Sequence, residues 1–251
     1  MRGSLARAST TAFAVHLGGA GLTYCAQLLI ARAVGPDGYG IYAYVLACMT
    51  TLAYFAALGF DVALLRFVPA YAAREEWGLL RGVLRFAERW VAILALGVAG
   101  ACAACALLWP RQEALVLTRT FLVGSWLVPL LALLWVRSAT VRGFGGVLTA
   151  LGPMRMVQDG GVVCAVGLAA FVLGASIGPA WVMGATLASS ALGLLLVSLA
   201  ARHLRPANLR SAPVASDARV WLITAIPFLT LGAVETATNR TGTVLLGWFG
   251  M

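Results

Sequence analysis

The sequence predicts an all-α fold, a polytopic transmembrane helical bundle, and three observations point that way. Hydrophobic residues make up 61% of the 251 and charged residues only 11%. Mean hydropathy is +0.92, far above what a soluble core of this length needs. Charge is also segregated: long stretches without it alternate with short segments that hold nearly all of it, the arrangement a bilayer imposes. One bundle is therefore expected, not a set of soluble domains of ~150 residues each.

Runs bounded by charges place helix 1 near 10–32, helix 2 near 40–60, helix 3 near 90–109 and helix 4 near 120–136. Gly35-Pro36-Asp37-Gly38 supplies the fixed and positive φ angles of a tight turn, so helices 1 and 2 should form an antiparallel hairpin. The stretch from Tyr71 to Trp90 is amphipathic and basic and reads as a helix lying on the inner leaflet. From Gly160 to Ala201 no charge occurs over about twice the ~20 residues that one span takes. Gly174 to Pro179 breaks that stretch into helices 5 and 6, near 160–174 and 180–201. A polar loop with Arg202, Arg205, Pro206, Arg210, Pro213 and Arg219 follows, and a seventh apolar helix starts near Val220. The expected division is a six-helix lobe over 1–201, a cytoplasmic linker over 202–219, and a further helix over 220–251.

The net charge of +9 does not point to nucleic acid, because all 18 basic residues are Arg and they sit at the ends of apolar runs, where topogenic charge belongs. With the N-terminus inside, fourteen arginines fall on cytoplasmic segments, and Arg32, Arg111 and Arg119 alone fall outside. Arg240 lies within helix 7. This asymmetry predicts a cytoplasmic N-terminus in the cell inner membrane. Trp90, Trp109, Trp135, Trp181, Trp221 and Trp248 fall near helix ends, as an aromatic belt would. The five cysteines lie in or beside apolar runs, so a disulfide framework or a zinc site has no polar loop to stand in. Cys102-Ala-Ala-Cys105 reads as a small-residue packing face, not a redox pair. The first apolar stretch, Thr10 to Ala31, suits a spanning helix better than the ~7–15-residue core of a signal peptide.

Several motifs resemble a known family. Ala31-Arg32, Gly35-Pro36, Tyr39-Gly40, Leu58-Gly59-Phe60 and Arg66 follow one another as in the oligosaccharide flippases of the polysaccharide-transport branch of the multidrug/oligosaccharidyl-lipid/polysaccharide (MOP) exporter superfamily. Val141-Arg142-Gly143 with Pro153, and Pro227-Phe228 with Leu245-Leu246-Gly247, are similar to later parts of the same pattern. The resemblance implies a six-helix lobe of a MOP/MATE-like fold plus a seventh helix that opens a second lobe. It also implies a transporter, not an enzyme, that flips polyprenyl-linked oligosaccharide by alternating access. At an offset of 215 residues, Phe13 lies over Phe228, Thr23 over Thr238 and Gly35 over Gly250, a weak internal repeat of the kind two lobes would leave. Members of this family are expected to carry two lobes, so the chain reads as truncated or split, with a second lobe or second chain completing it.

Flipping a pyrophosphate-linked sugar needs a wet cavity with cations, hydroxyls and amides. Helix 1 offers His16, Thr23 and Gln27 on one face, and helix 7 offers Glu235, Thr238 and Asn239 on another, with Arg240 beside them. Each also has a plainer reading, since a membrane histidine or threonine can serve only to hydrogen-bond a neighbouring helix. Arg32 and Asp37 at one end of the hairpin, and Asp61 and Arg66 at the other, either gate the cavity or are ordinary interface charges. No cofactor or metal is expected, and a coupling ion would be H+ or Na+. The bilayer is the expected environment, and no nucleic-acid partner is expected.

Three other function classes remain open. A drug or small-molecule exporter of the same fold would show ion- or drug-dependent efflux, and a non-transporting membrane subunit would show neither activity. An envelope polysaccharide enzyme would need interfacial acids, serines or histidines in loops, whereas the outer loops are short and the histidines are His16 and His203. The predicted orientation is checked by placing a cysteine at Ser211 in a background lacking the native cysteines. Ser211→Cys should be protected from an impermeant external thiol reagent, and labelling from outside would overturn the orientation.

Overall fold

The computed structural model describes residues 2–108, 115–152, 156–172, 177–206, 208–209 and 212–249. Side chains are described within these ranges except at 2–16, 147–148, 151, 171–172, 233 and 235–249. Among the described residues the fold is helical throughout, without strands. The longer helices are α1 (Arg2–Ala56), α2 (Phe60–Ala73), α3 (Trp77–Leu108), α4 (Leu115–Ser125), α5 (Leu127–Gly143), α6 (Val147–Gly152), α7 (Gln158–Gly167), α8 (Pro179–Leu204) and α9 (Ala218–Phe249). A π-helical turn, Leu168–Val172, extends α7. Among the described residues four helical runs are long and apolar enough to cross a membrane: Leu17–Ala73, Trp77–Leu108, Leu115–Gly143 and Pro179–Leu204. Gln158–Ala170 and Ala218–Gly232 are shorter apolar helices. The chain is a multi-pass, all-α membrane protein, and large side chains such as Trp90, Ile93, Leu96, Leu107 and Leu195 stand on its outside.

The long run α1 is two arms, because Gly35 leaves helical geometry at φ 77°, ψ 172°. Only a residue without Cβ takes that φ at little cost, and Pro36 then opens the second arm, where its missing N–H is no loss. The contacts give the arms' directions. In the first arm Gly18 lies against Met156, Leu22 against Gly160 and Leu29 against Gly167, so that arm runs parallel to α7. α7 is antiparallel to α8, since Gly161 meets Ser189 and Gln158 reaches back to Ser190. In the second arm Gly38 meets Pro179 and Tyr42 reaches Thr186, so it runs with α8 and against the first arm. The hairpin is real, and its turn is a single non-helical residue, tighter than the four-residue turn read from the sequence.

α5 holds the centre. Leu127, Leu131, Leu134, Val136, Ala139 and Val141 are buried around its whole circumference, as expected for a helix packed on every side. It touches α1, α2, α3 and α8. Close approach occurs at glycines: Gly124 admits Val45 and Met49, and Gly143 admits Val68.

Two expectations are corrected here. The stretch from Tyr71 to Trp90 is not a separate surface helix, because its first residues end α2 and Trp77–Leu108 is one continuous helix whose first turns carry Arg81, Arg85 and Arg89. Local amphipathicity cannot report that continuity, since an apolar helix can have a polar, membrane-interface end. A sharp turn at Leu58 (φ 55°) and Gly59 (φ 72°) also starts a distinct helix, α2, where the sequence reading ended helix 2.

The segment between α8 and α9 is docked on the bundle. The Ala215 N–H donates to the Gly78 carbonyl at 3.1 Å, and the Arg81 guanidinium donates to the Ala212 carbonyl at 2.6 Å. Trp221, buried at the start of α9, donates its indole N–H to the Tyr71 hydroxyl at 3.1 Å and packs on Phe86 at 5.5 Å. From there α9 crosses the Gly59 turn and passes Tyr54 at Gly232, antiparallel to the second arm of α1.

Gly59 combines a left-handed φ with backbone close by. A Cβ there would lie 2.5 Å from the Ala225 carbonyl oxygen and 2.8 Å from the Leu229 nitrogen. Gly59→Ala should lower stability by about 1–3 kcal/mol through strain and overpacking. Gly21→Ala, at an exposed helical position with open space around it, should be neutral or slightly stabilising. Thermal melts of the detergent-solubilised protein check this, and equal melting temperatures for the two variants would contradict the packing described.

Candidate functional site

Polar side chains inside the bundle gather where α1, α7 and α8 meet. Thr23 stands near the middle of the first apolar run and hydrogen-bonds the carboxylate of Asp159, in the first turn of α7. Its hydroxyl also lies 2.9 Å from the Gly19 carbonyl one turn back. One hydroxyl proton can serve only one acceptor at a time. With Asp159 ionised, Thr23 donates to it. With Asp159 protonated, the carboxyl can donate to Thr23, and Thr23 can turn its proton to Gly19.

α8 supplies the other wall. Thr186, Ser189 and Ser190 are all buried and sit at the i, i+3, i+4 spacing that shares one helical face. The Gln158 amide donates to Ser190 at 3.1 Å, and the Tyr42 and Thr186 hydroxyls lie 3.1 Å apart. Gly160 and Gly161 let α7 lie close to both neighbours, Gly160 against Leu22 and Gly161 against Ser189. Backbone proximity therefore places Asp159 and Gln158 within reach of α1 and α8.

A second polar locus lies between α2 and α5. Asp61, in the first turn of α2, feels the opposite charge of Arg142 in the last turn of α5. One carboxylate oxygen of Asp61 and the Nε of Arg142 are buried without a hydrogen-bond partner among the described residues. No hydrogen bond or close ion pair joins the two side chains among the described residues, and a buried charged group without a close partner is costly.

The other residues singled out from sequence are spread along the bundle. Gln27, one turn beyond Thr23, is exposed. Arg32 and Asp37 flank the Gly35 break and are exposed, as is Arg66 on α2. The side chains of His16, Glu235, Thr238, Asn239 and Arg240 lie outside the described residues. Among the described candidates on helix 1, Thr23 is the one with a partner across a helix boundary. Among the described residues no group of three or more His, Cys, Asp or Glu side chains could hold a metal ion.

Sequence reasoning passed over Asp159, Gln158, Ser190 and Thr186, and it places Tyr42 in an aromatic belt at the outer end of helix 2, whereas Tyr42 is buried against Thr186. Asp159 served there only as the charge that bounds the long uncharged stretch beginning at Gly160. No signal in the sequence marked it: α7 starts beside Thr23, at mid-depth of the first apolar run, so a charge at the edge of one helix lies against the middle of another. That depth needs the α1–α7 register, which no spacing within either segment contains.

Residues 5–250 match the family described as polysaccharide biosynthesis protein. No curated protein and no solved structure matches the chain.

Proposed function

The chain belongs to the polysaccharide biosynthesis protein family, and from that premise we propose that it translocates lipid-linked oligosaccharide precursors across the inner membrane by alternating access. The observation that carries the substrate class is the family match over nearly the whole chain. The polar interior between α1, α7 and α8 supports a transporter, because intramembrane ionisable groups are expensive and mark ion or substrate pathways by default. In this reading the N-terminus and the arginine-rich helix ends face the cytoplasm, where the precursor enters.

Asp159 is the proposed coupling carboxylate. Taking up a proton, or holding Na+ with the oxygens of Thr23 and its neighbours, changes which way the Thr23 hydroxyl points. That in turn changes how α7 is tied to α1. A switch in one helix contact biases two arrangements of the bundle, which is what alternating access requires. Thr23 and Gln27 line the proposed path on α1. Sugar hydroxyls would be met by hydroxyls and amides, and the pyrophosphate by arginine.

The test is genetic and uses the protein in its own cell. Deleting the gene should remove surface polysaccharide and leave lipid-linked repeat units in the cytoplasmic leaflet, and the wild-type gene should restore export. Asp159→Asn, expressed at wild-type level, should reduce export by at least about tenfold, the scale of losing a coupling group. Normal surface polysaccharide in the deletion strain would contradict the substrate class, and full export by Asp159→Asn would contradict the coupling role alone.

A further inference from the structure

Away from the α1–α7–α8 interior, at the arginine-rich end of the bundle, α3 and the end of α8 enclose a cleft of about 180 Å3 lined by Arg81, Leu84, Arg85, Glu88, Arg205 and Leu209. One water needs ~10–15 Å3 of such volume, so the cleft has room for a phosphate group with water around it. The α3 residues fall at i, i+3, i+4 and i+7, a single helical face.

Its charges do not balance. Glu88 is shared between Arg205 at 3.0 Å and Arg137 at 3.7 Å. Arg81 spends one N–H on the Ala212 carbonyl, and Arg85 is paired with no carboxylate among the described residues. Four arginines thus stand around one carboxylate. The Nε of Arg205 is buried and has no acceptor. Unmatched cations and an orphaned donor in a partly enclosed cleft leave room for an anion.

The surroundings say which anion. Arg85, Arg89, Ile93 and Leu96 follow one another at i, i+4, i+8 and i+11 and form one exposed ridge of α3. Ile93 and Leu96 are 51% and 52% exposed, so the ridge passes from arginine at the cleft to bare apolar surface along the span. A free anion would use only the cleft. A lipid uses both, its phosphate among the arginines and an acyl chain along the ridge.

We propose that the cleft between α3 and the end of α8 binds the phosphate of an anionic phospholipid headgroup, with an acyl chain lying on the Ile93–Leu96 ridge. The bound lipid supplies the acceptor that Arg205 lacks and ties the α8–α9 segment, through Arg81, to α3. The cleft lies away from the α1–α7–α8 interior, and the proposal stands whether or not the flippase reading does.

Native mass spectrometry of the detergent-purified protein, titrated with phosphatidylglycerol or phosphatidylcholine, tests it. The wild type should bind phosphatidylglycerol in preference to phosphatidylcholine, and millimolar inorganic phosphate should not displace it. Arg85→Gln, which removes an exposed and unpaired side chain, should weaken phosphatidylglycerol binding about fivefold, the contribution of one basic residue near a lipid headgroup, without lowering the melting temperature. Arg119→Gln, at an arginine on α4 that does not line the cleft, should leave binding unchanged. Equal affinity for the two lipids, displacement by phosphate, or unaltered binding by Arg85→Gln would each overturn the proposal.

Discussion

Hydrocarbon offers no hydrogen-bond partners, so any polar group in the interior of this bundle must find one on its own backbone or on another helix. The serines and threonines show the cheaper solution. Thr50, Thr51, Thr120 and Thr140 bond carbonyls three or four residues back on their own helices. Asp159 and Gln158 cannot do this with a full complement of partners, and they reach Thr23 and Ser190 across helix boundaries. Those contacts require α1, α7 and α8 to lie close, and Gly160 and Gly161 permit it. The polar residues and the glycines of this region therefore form one requirement, and neither set is explained without the other.

The same logic separates what could be read from the sequence from what could not. Hydropathy runs gave the helical class, and Gly35-Pro36 gave the reversal, because both are local: a run length, a φ that glycine tolerates and a ring without an N–H. Leu58-Gly59-Phe60 was legible as a motif. Its reason was not, because the backbone that crowds Gly59 belongs to Ala225 and Leu229 on a helix far along the chain. Asp159 failed for a related reason. A charge at the edge of its own apolar run is placed by convention at the membrane surface, but α7 begins beside the midpoint of the first apolar run. The docking of the α8–α9 segment through Arg81, Ala215 and Trp221 was equally invisible, since polar loops give no sign of where they settle.

Burial of α5 among α1, α2, α3 and α8 gives the bundle a fixed centre. Movement during transport would then be easiest at contacts made through few, polar groups. Thr23 with Asp159 is such a contact, within the bundle. It joins an acid to a partner on a different helix, so a change of charge there alters a contact between helices and leaves the apolar core intact.

The central claim, that Asp159 couples an ion to movement of a lipid-linked sugar, is tested most directly in vesicles with the protein purified together with the second lobe or chain that completes it. Inward-to-outward transfer of a labelled lipid-linked oligosaccharide is followed while a proton or sodium gradient is imposed and then collapsed. The account predicts transfer that follows one of the two gradients in the wild type and loses that dependence when Asp159 is replaced by Asn. Transfer that responds to the same gradient equally with and without the carboxylate would contradict it.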